Sequence, residues 1–375
     1  MSLKMMFVVD GLGGMGMSFI KGIELCRRFH MEIVEPVMME NYSFLSYSSA
    51  LIGPGSEVLG YDTEMSTDHD WVPRVYLFLN QLDIGYSEQI QSTLHERAPE
   101  RFYGFPIDIR KSVITTVPRL IESYLAVNKD ERLEPVDWLT FPSQSLLELT
   151  RGEVYRDDND QLSTLRKQFE YYPHDIWLYL MASSWQRIGQ EEHLMLRSGF
   201  IGDEIGSSII ASRLVRDIIN LCFLMERQYA PYPKWFGTAF KRLKCSDQIM
   251  SHLWTAQTAV TWGEREHALN NAYKHLSSMH NGLGITERIP DDVSYFFDRP
   301  FKVMNGEEIA SLIANQIVDT DIQQLSQKRL IGNIDQITDN TDFRKMNRWS
   351  DGEGEFARNA LKKLYNPSLL VKKDQ

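Results

Sequence analysis

The chain has 375 residues, 43% of them hydrophobic and 24% charged, as is typical of a globular protein and not of a disordered chain. Its net charge of −11 argues against non-specific binding to nucleic acid or to an anionic membrane, although a local basic groove is compatible with this balance. The three cysteines show no metal-binding spacing, and no apolar run reaches the roughly 20 residues that span a bilayer, so we expect a cytoplasmic protein.

The first motif along the chain is rich in glycine. Gly11, Gly13 and Gly16 satisfy the GxGxxG pattern, which brings pyrophosphate to a helix N-terminus in dinucleotide-binding folds, and Glu32 or Glu35 would then hold a ribose. The motif alone is weak. Apolar residues around both glutamates recur at helical intervals, which predicts helices where that fold needs a second strand. The competing interpretation is a flexible leader before a helix.

The centre of the prediction is a strand, a turn and a second strand. An apolar strand precedes the turn that contains Gly55 and Ser56, and a second strand is predicted to begin at Asp68 after a polar excursion. Because strand side chains alternate between faces, Asp68 and Asp70 would share one face and His69 the other. Like charges this close need a cation between them, and a hard divalent cation prefers such oxygen ligands.

This order of turn and carboxylates suits phosphate chemistry. The turn at Gly55 and Ser56 offers backbone N–H groups and a hydroxyl to a terminal phosphate, while Asp68 and Asp70 would hold the Mg²⁺ that bridges the phosphates. The alternative is a solvated turn in which Asp68 only caps a strand. The glycine-serine turn that precedes the aspartates favours the phosphate site.

The remainder of the first half mixes helices and short strands. We predict a helix over residues 87–97, short strands at 107–109 and 113–117, and a helix from Pro118 to residue 125. An acidic, turn-rich segment at residues 152–160 then predicts a domain boundary near residue 160.

Beyond this boundary the sequence predicts long helices with no strand of comparable strength. The predicted organisation is therefore a sheet-containing domain in residues 1–160, a helical bundle domain in residues 161–290, and a partly helical C-terminal extension in residues 291–375. One helix of the bundle carries a polar stripe that is either an internal ion-pair network or a wall of the ligand cleft: Arg213, Arg216, Asp217 and Asn220.

Several stretches resemble known families. Gly55-Ser56 followed by Ser66-x-Asp68-x-Asp70 resembles the signature of the nucleotidyltransferase superfamily. More closely, GSEVLGYD, DHDWVPR, DWLTFP, YYPHDIWLYL, GDEIGS and residues 228–240 resemble a bacterial family, the domain of unknown function 4037, over most of residues 20–300. The closer family brings no assigned substrate, so the functional expectations come from the wider superfamily.

The resemblance implies an α+β fold, with a nucleotidyltransferase-like mixed sheet and flanking helices in the first domain. It also implies that Ser56, with Gly55, contacts the triphosphate of an NTP, ATP above all, and that Asp68 and Asp70 bind Mg²⁺. A third carboxylate is expected on a neighbouring strand, but the strand at residues 113–117 has no acid. Asp108 is the nearest candidate for a metal ligand or base, and Asp137 is the second.

Two basic residues complete the predicted site. Arg74 either returns to the phosphates or pairs with an acid. Lys234 follows a proline-interrupted helix end, and the resemblance to aminoglycoside-modifying nucleotidyltransferases implies that it reaches the triphosphate. The alternative for Lys234 is a loop lysine whose aromatic neighbours pack in the core.

The sequence therefore predicts a metal-dependent nucleotidyltransferase that moves a nucleoside monophosphate to a hydroxyl. A small-molecule acceptor is expected rather than nucleic acid, and a membrane partner is not expected. The oligomeric state cannot be read from the sequence. A catalytically weak or inactive nucleotide-binding module is the first alternative, because the third acid is missing, and a dinucleotide-binding oxidoreductase is the second.

Overall fold

The computed structural model describes residues 19–68, 71–128, 130–348 and 352–366. Gly11, Gly13 and Gly16, the glycines of the predicted dinucleotide motif, lie outside these ranges. Of the helices described, none is both long and apolar enough to cross a membrane.

The strands of the described residues form one four-stranded sheet and two short two-stranded ones. They are β1 (Tyr47–Leu51), β2 (Tyr76–Leu79), β3 (Arg101–Phe102), β4 (Phe105–Pro106), β5 (Val113–Thr115), β6 (Glu153–Asp157), β7 (Ser294–Tyr295) and β8 (Lys302–Val303). The larger sheet has the order β5-β2-β1-β6. β1 is antiparallel to both neighbours and β2 is parallel to β5, so the sheet is mixed.

The helices surround this sheet and make up most of the second half. They are α1 (Gly22–Phe29), α2 (Glu35–Asn41), α3 (Ser87–Arg97), α4 (Val117–Leu125), α5 (Ser143–Thr150), α6 (Gln161–Gln168), α7 (His174–Phe200), α8 (Glu204–Met225), α9 (Pro233–Phe240), α10 (Ser246–Thr258), α11 (Trp262–Leu283), α12 (Gly306–Ala314), α13 (Thr320–Lys328), α14 (Ile334–Ile337) and α15 (Glu353–Leu364). The predicted α+β class, with a mixed sheet, flanking helices and a helical second half, is confirmed.

Side chains of β2 divide between two hydrophobic clusters because successive strand residues point to opposite faces. Tyr76 and Phe78 belong to the cluster that extends into α7 and α8, whereas Leu77 and Leu79 pack with residues of α1, α2 and α3. All four side chains are buried. The strand is therefore covered on both faces, which explains its continuous apolar sequence.

The segment before β1 is helical, as predicted. α1 and α2 are joined by a π-helical turn at His30–Val34, so Glu32 and Glu35 both lie within helices. A dinucleotide-binding fold needs parallel strands joined by a crossover helix. The described residues therefore give the oxidoreductase alternative no support, because β1 is antiparallel to both neighbours.

The hydrophobic core runs across the predicted boundary near residue 160. This boundary falls between β6 and α6, yet one cluster contains Ala50 of β1, Leu178 of α7 and Leu325 of α13. The C-terminal segment also returns to the first half, where buried Arg358 and Lys362 lie 3.1 and 2.8 Å from the Asp137 carboxylate. Asp137 is thus part of a structural ion-pair cluster.

Three predicted local structures are wrong. The second strand begins at Tyr76 rather than at Asp68, because Pro73 has no N–H to donate and restricts the residue before it. Residues 107–109 are not a strand and lead into a 3₁₀ turn at Ile109–Lys111. The acidic segment predicted as turns contains β6, an edge strand that is identified by its pairing with β1.

Candidate functional site

The turn after β1 requires glycine at two positions. Gly53 has a φ of +93° and Gly55 a φ of +136°, a region that L side chains rarely adopt. A Cβ on Gly53 would lie 2.8 Å from the Tyr124 hydroxyl, and a Cβ on Gly55 would overlap the Glu57 carboxylate. The path of the turn is therefore fixed by close packing.

A buried ion pair lies beneath this turn. Arg74 and Glu57 are 6% and 4% exposed, and Arg74 Nη2 lies 2.7 Å from Glu57 Oε1. The same nitrogen donates to the carbonyl of Pro54 within the turn. Burial would lower the pKa of Arg74, but the Glu57 carboxylate outweighs it and raises that pKa above its ordinary value. Arg74, predicted to contact phosphates, is thus placed where it supports the turn from below.

A cleft of about 320 Å³ opens over the turn. Its lining includes Gly55, Ser56, Met65, Ser66, Lys234 and Trp235, and we call it the turn cleft. The structure therefore brings three predicted site residues together, namely Gly55, Ser56 and Lys234, although they come from opposite halves of the chain.

Lys234 reaches the turn cleft because the start of α9 is fixed to the first half. The Tyr232 N–H donates to Gln144 Oε1 at 3.0 Å, and the Trp235 ring stacks on Tyr61 with 5.4 Å between centroids. Lys234 itself is exposed, and its ammonium group lies 4.9 Å from the Trp235 ring centroid. It forms no ion pair with any residue in the described part of the chain, so its charge is free for an anion.

Of the two predicted metal ligands, Asp68 and Asp70, only the backbone of Asp68 lies within the described residues. Asp68 ends a 3₁₀ turn, Glu64–Asp68, whose Met65 and Ser66 line the turn cleft. The prediction that Asp68 projects from a strand beside Asp70 is wrong, since β2 begins later in the chain. Asp70 lies outside the described residues. The metal-binding role of both aspartates stays a prediction.

Asp108 lies in the loop before β5. It accepts from the Arg110 N–H at 3.1 Å and from Arg110 Nε and Nη2 at 2.8 and 3.0 Å. The hydrogen bonds from Arg110 lower the pKa of Asp108 below its ordinary value. Because β5 is parallel to β2, Asp108 precedes β5 at the end of the sheet where the chain enters β2. Its role as third acid stays a prediction and requires this ion pair to open.

Asp62 is a fully buried carboxylate that sequence analysis did not single out. It accepts from the Gly22 N–H at 2.6 Å and from Trp71 Nε1 at 3.2 Å, and the Lys21 ammonium group lies 3.7 Å away. These contacts tie α1 to a wall of the turn cleft. Nothing in the local sequence indicates this role, because an acid between two turns is normally solvated and two of its partners lie far away in the chain.

A Mg²⁺ site would depend on residues beyond the described side chains. Among the described residues, no three His, Cys, Asp or Glu side chains come together in a metal-binding arrangement. Of the buried acids beside the turn, Glu57 is paired with Arg74, and Asp62 accepts hydrogen bonds through Oδ2 while its Oδ1 has no hydrogen-bond partner among the described residues. Asp68 and Asp70 stay the predicted ligands, since two carboxylates are oxygen donors that Mg²⁺ prefers.

The polar stripe on α8 forms ion pairs. Asp217 lies 3.2 Å from Arg187 Nε, and Arg213 and Arg216 pair with acids of neighbouring segments. Burial raises the pKa of Asp217 despite the attraction of Arg187. For these three residues the structure shows the internal network, while Asn220 lines a separate small cavity of about 40 Å³.

Comparison with known proteins confirms the closer resemblance. Residues 138–236 match the family model of the domain of unknown function 4037, DUF4037. The chain is also similar to a nucleotidyltransferase-like protein from Exiguobacterium sibiricum 255-15, at 11% identity and a TM-score of 0.31, over 76% of this chain and 89% of that chain. No curated protein matches the chain.

Proposed function

We propose that this protein is a metal-dependent nucleotidyltransferase and that the turn cleft is its active site. The observation that carries this proposal is the meeting of Ser56 and Lys234 in one cleft, beside the 3₁₀ turn that ends at Asp68. A tight glycine-serine turn and a free lysine are the groups that a triphosphate needs. The cleft volume of about 320 Å³ lies within the range of small-ligand sites, and the acidic balance of the chain favours a small-molecule acceptor.

Different residues of the turn cleft would bind different parts of the nucleotide. The Ser56 hydroxyl and the backbone N–H groups of the turn would bind the terminal phosphates of ATP, and the Lys234 ammonium group would neutralise part of their charge. Asp68 and Asp70 would hold Mg²⁺, which neutralises charge on the leaving pyrophosphate. Arg74 keeps the turn in place through Glu57 and Pro54.

The transfer step needs alignment and one proton acceptor. The acceptor hydroxyl oxygen forms a bond to the α-phosphorus, the bond from that phosphorus to the bridging oxygen breaks, and pyrophosphate leaves with the electron pair. The hydroxyl proton passes to Asp108 when its ion pair with Arg110 opens, or otherwise to water.

Pyrophosphate release tests this proposal. The protein is incubated with ATP, CTP, GTP and UTP, Mg²⁺ and a metabolite extract, and Asp68→Asn and Asp70→Asn are expected to abolish the release seen with the wild type. Glu64→Gln is the matched control, because Glu64 is an exposed acid in the same 3₁₀ turn. Equal release by the wild type and both aspartate variants would contradict transfer.

The second candidate is a module that binds nucleotide without turning it over. It is favoured by the Asp108 carboxylate, which is engaged by Arg110, and by β5, which carries no acid. This candidate predicts that ATP binds with an affinity that Lys234→Gln lowers, while no pyrophosphate appears with any acceptor mixture. Calorimetric titration of the same protein samples with ATP separates the two functions.

A further inference from the structure

A second cleft, of about 790 Å³, lies between the end of α5, α6 and the segment after α8. Four basic residues line it, and we call it the arginine cleft: Arg151, Arg166, Lys167 and Arg227. Glu170 is the acid among its described lining residues. A chain with a net charge of −11 thus collects positive charge in one concave surface.

The cations of the arginine cleft lack acidic partners. None of the four forms an ion pair with a residue in the ranges that the structure describes. Arg151 instead donates to Gln228 Oε1 at 2.6 Å, and Arg166 donates to the Arg151 carbonyl at 2.9 Å. The Arg166 Nε is buried and has no hydrogen-bond partner among the described residues. Neutral acceptors therefore orient two guanidinium groups, and the acids that attract Arg166, namely Asp157 and Glu153, form no ion pair with it.

Arg227 occupies a backbone position that suits glycine or asparagine. It follows α8 with a φ of +52°, and its N–H donates to the Leu224 carbonyl at 3.1 Å. Its guanidinium group lies 4.1 Å from the Trp177 ring centroid, so the side chain is held in place by stacking. The Arg227 guanidinium group is therefore held at the edge of the arginine cleft by its stacking on Trp177.

We propose that the arginine cleft binds a small molecule that carries two or more phosphate groups. Guanidinium groups match phosphate oxygens in a two-pronged geometry, and an exposed lysine such as Lys167 adds a further point charge. A volume of about 790 Å³ is that of a small-ligand pocket. A nucleic acid is disfavoured, because a strand longer than the cleft would meet the negative charge of the remaining surface.

This site is separate from the proposed active site. The arginine cleft and the turn cleft share none of their lining residues. The proposal does not depend on nucleotidyl transfer, and a failure of pyrophosphate release leaves it unaffected.

Calorimetric titration of the whole chain tests the proposal, with fructose bisphosphate and inorganic tripolyphosphate as probes, in EDTA at low salt. We expect saturable binding that weakens as salt is added. Arg166→Gln and Arg227→Asn should each weaken binding about tenfold or more, because each removes a charged hydrogen-bond donor. Lys241→Gln removes the same charge from an exposed residue outside the cleft and should change affinity by less than about twofold.

Thermal unfolding of each variant shows whether a loss of binding comes from a loss of folding. Lys167→Gln is an additional variant of the cleft, and it changes an exposed side chain that folding does not require. Absence of binding by both probes overturns the proposal. The same loss of affinity in Lys241→Gln as in Arg166→Gln would also overturn it, since the attraction would then be non-specific. A single-stranded oligonucleotide could instead bind more tightly than either probe and lose affinity in Arg166→Gln. That result would overturn the small-molecule proposal and indicate that the cleft binds nucleic acid.

Discussion

The turn cleft and the arginine cleft are built in opposite ways. In the turn cleft, a turn that requires glycine at two positions rests on the buried ion pair of Arg74 and Glu57, and the free lysine Lys234 lies above it. In the arginine cleft, the cations line the concave surface themselves, without ion-pair partners among the described residues. The turn cleft therefore rests on a buried ion pair, whereas the charges that line the arginine cleft have no ion-pair partner among the described residues.

This difference separates a charge that stabilises the fold from a charge that recognises a ligand. Removing one partner of a buried pair leaves an uncompensated charge in the interior, whereas removing one member of a group of like charges relieves repulsion. Stability should therefore respond most strongly beneath the turn cleft, whereas substitution of a charge that faces either cleft should change ligand binding or turnover and leave stability nearly unchanged. Four variants examine that expectation.

The largest effect is expected from Arg74→Met. This change leaves the Glu57 carboxylate buried and unpaired, so the free energy of unfolding should fall by about 3–5 kcal/mol. Urea unfolding measures it. Arg97→Met is the matched control, because Arg97 pairs with Glu40 at 2.6 Å on the surface and its loss should lower stability by less than about 1 kcal/mol. Similar losses of stability in both variants would contradict the distinction between the buried and the surface ion pair.

Acid should destabilise the sheet-containing first half through His30, which the arginine cleft does not include. This buried histidine stacks on Tyr155, and burial, helped by Arg156, lowers its pKa from 6.5 to about 4. In the unfolded chain His30 binds a proton near pH 6.5, but in the folded chain it does so only near pH 4. The free energy of unfolding therefore falls as the pH falls through this window, by up to about 3 kcal/mol.

His30→Gln should remove that part of the pH dependence, as measured by urea unfolding at pH 7 and pH 5. A second buried histidine, His280, also has a pKa lowered to about 4, so some acid sensitivity will remain in the variant. The arginines of the arginine cleft stay charged throughout this range, and anion binding should persist at pH 5. An unchanged slope in His30→Gln would contradict the assignment to this residue.

Lys234→Gln should lower kcat/KM for pyrophosphate release about 100-fold, because it removes a positive charge from the developing negative charge of the leaving group. Its side chain is exposed and has no ion-pair partner in the described part of the chain, so the unfolding temperature should stay the same. Lys241→Gln serves as control, because Lys241 is an exposed lysine at the opposite end of the same helix and outside the turn cleft, and it should keep full activity. Full activity in Lys234→Gln would remove this residue from the proposed mechanism.

The elements that sequence analysis found are those with local causes. The helix predicted over residues 87–97 is α3, with the same bounds, because its apolar spacing and polar flanks are contained within the segment. The glycine-serine turn was also recognisable, since its positive φ angles depend on the backbone freedom of Gly53 and Gly55 themselves. β6 was missed because its half-buried acidic sequence becomes a strand only through pairing with β1.

The parts of the clefts that could not be predicted depend on contacts between distant residues. Asp62 is buried against Gly22, and Arg74 pairs with Glu57, but nothing in the local sequence of either charge indicates its partner. The arginine cleft collects residues from three segments that carry no common motif, so a local basic groove could be allowed from composition but not located. The meeting of Ser56 and Lys234 was expected from resemblance alone.

Arg227→Asn should give the smallest effect on stability and the sharpest test of the comparison. Asparagine tolerates the left-handed backbone, which relieves about 1 kcal/mol of strain, while the lost stacking on Trp177 costs about 0.5–1 kcal/mol. The free energy of unfolding should therefore stay within about 0.5 kcal/mol of the wild type as phosphate binding weakens. Arg227→Ala, which loses the stacking and keeps the strain, should unfold more easily than Arg227→Asn. If Arg227→Asn instead lowers stability as much as Arg74→Met does, then Arg227 belongs to the structural charges, and the contrast between the two clefts fails at this residue.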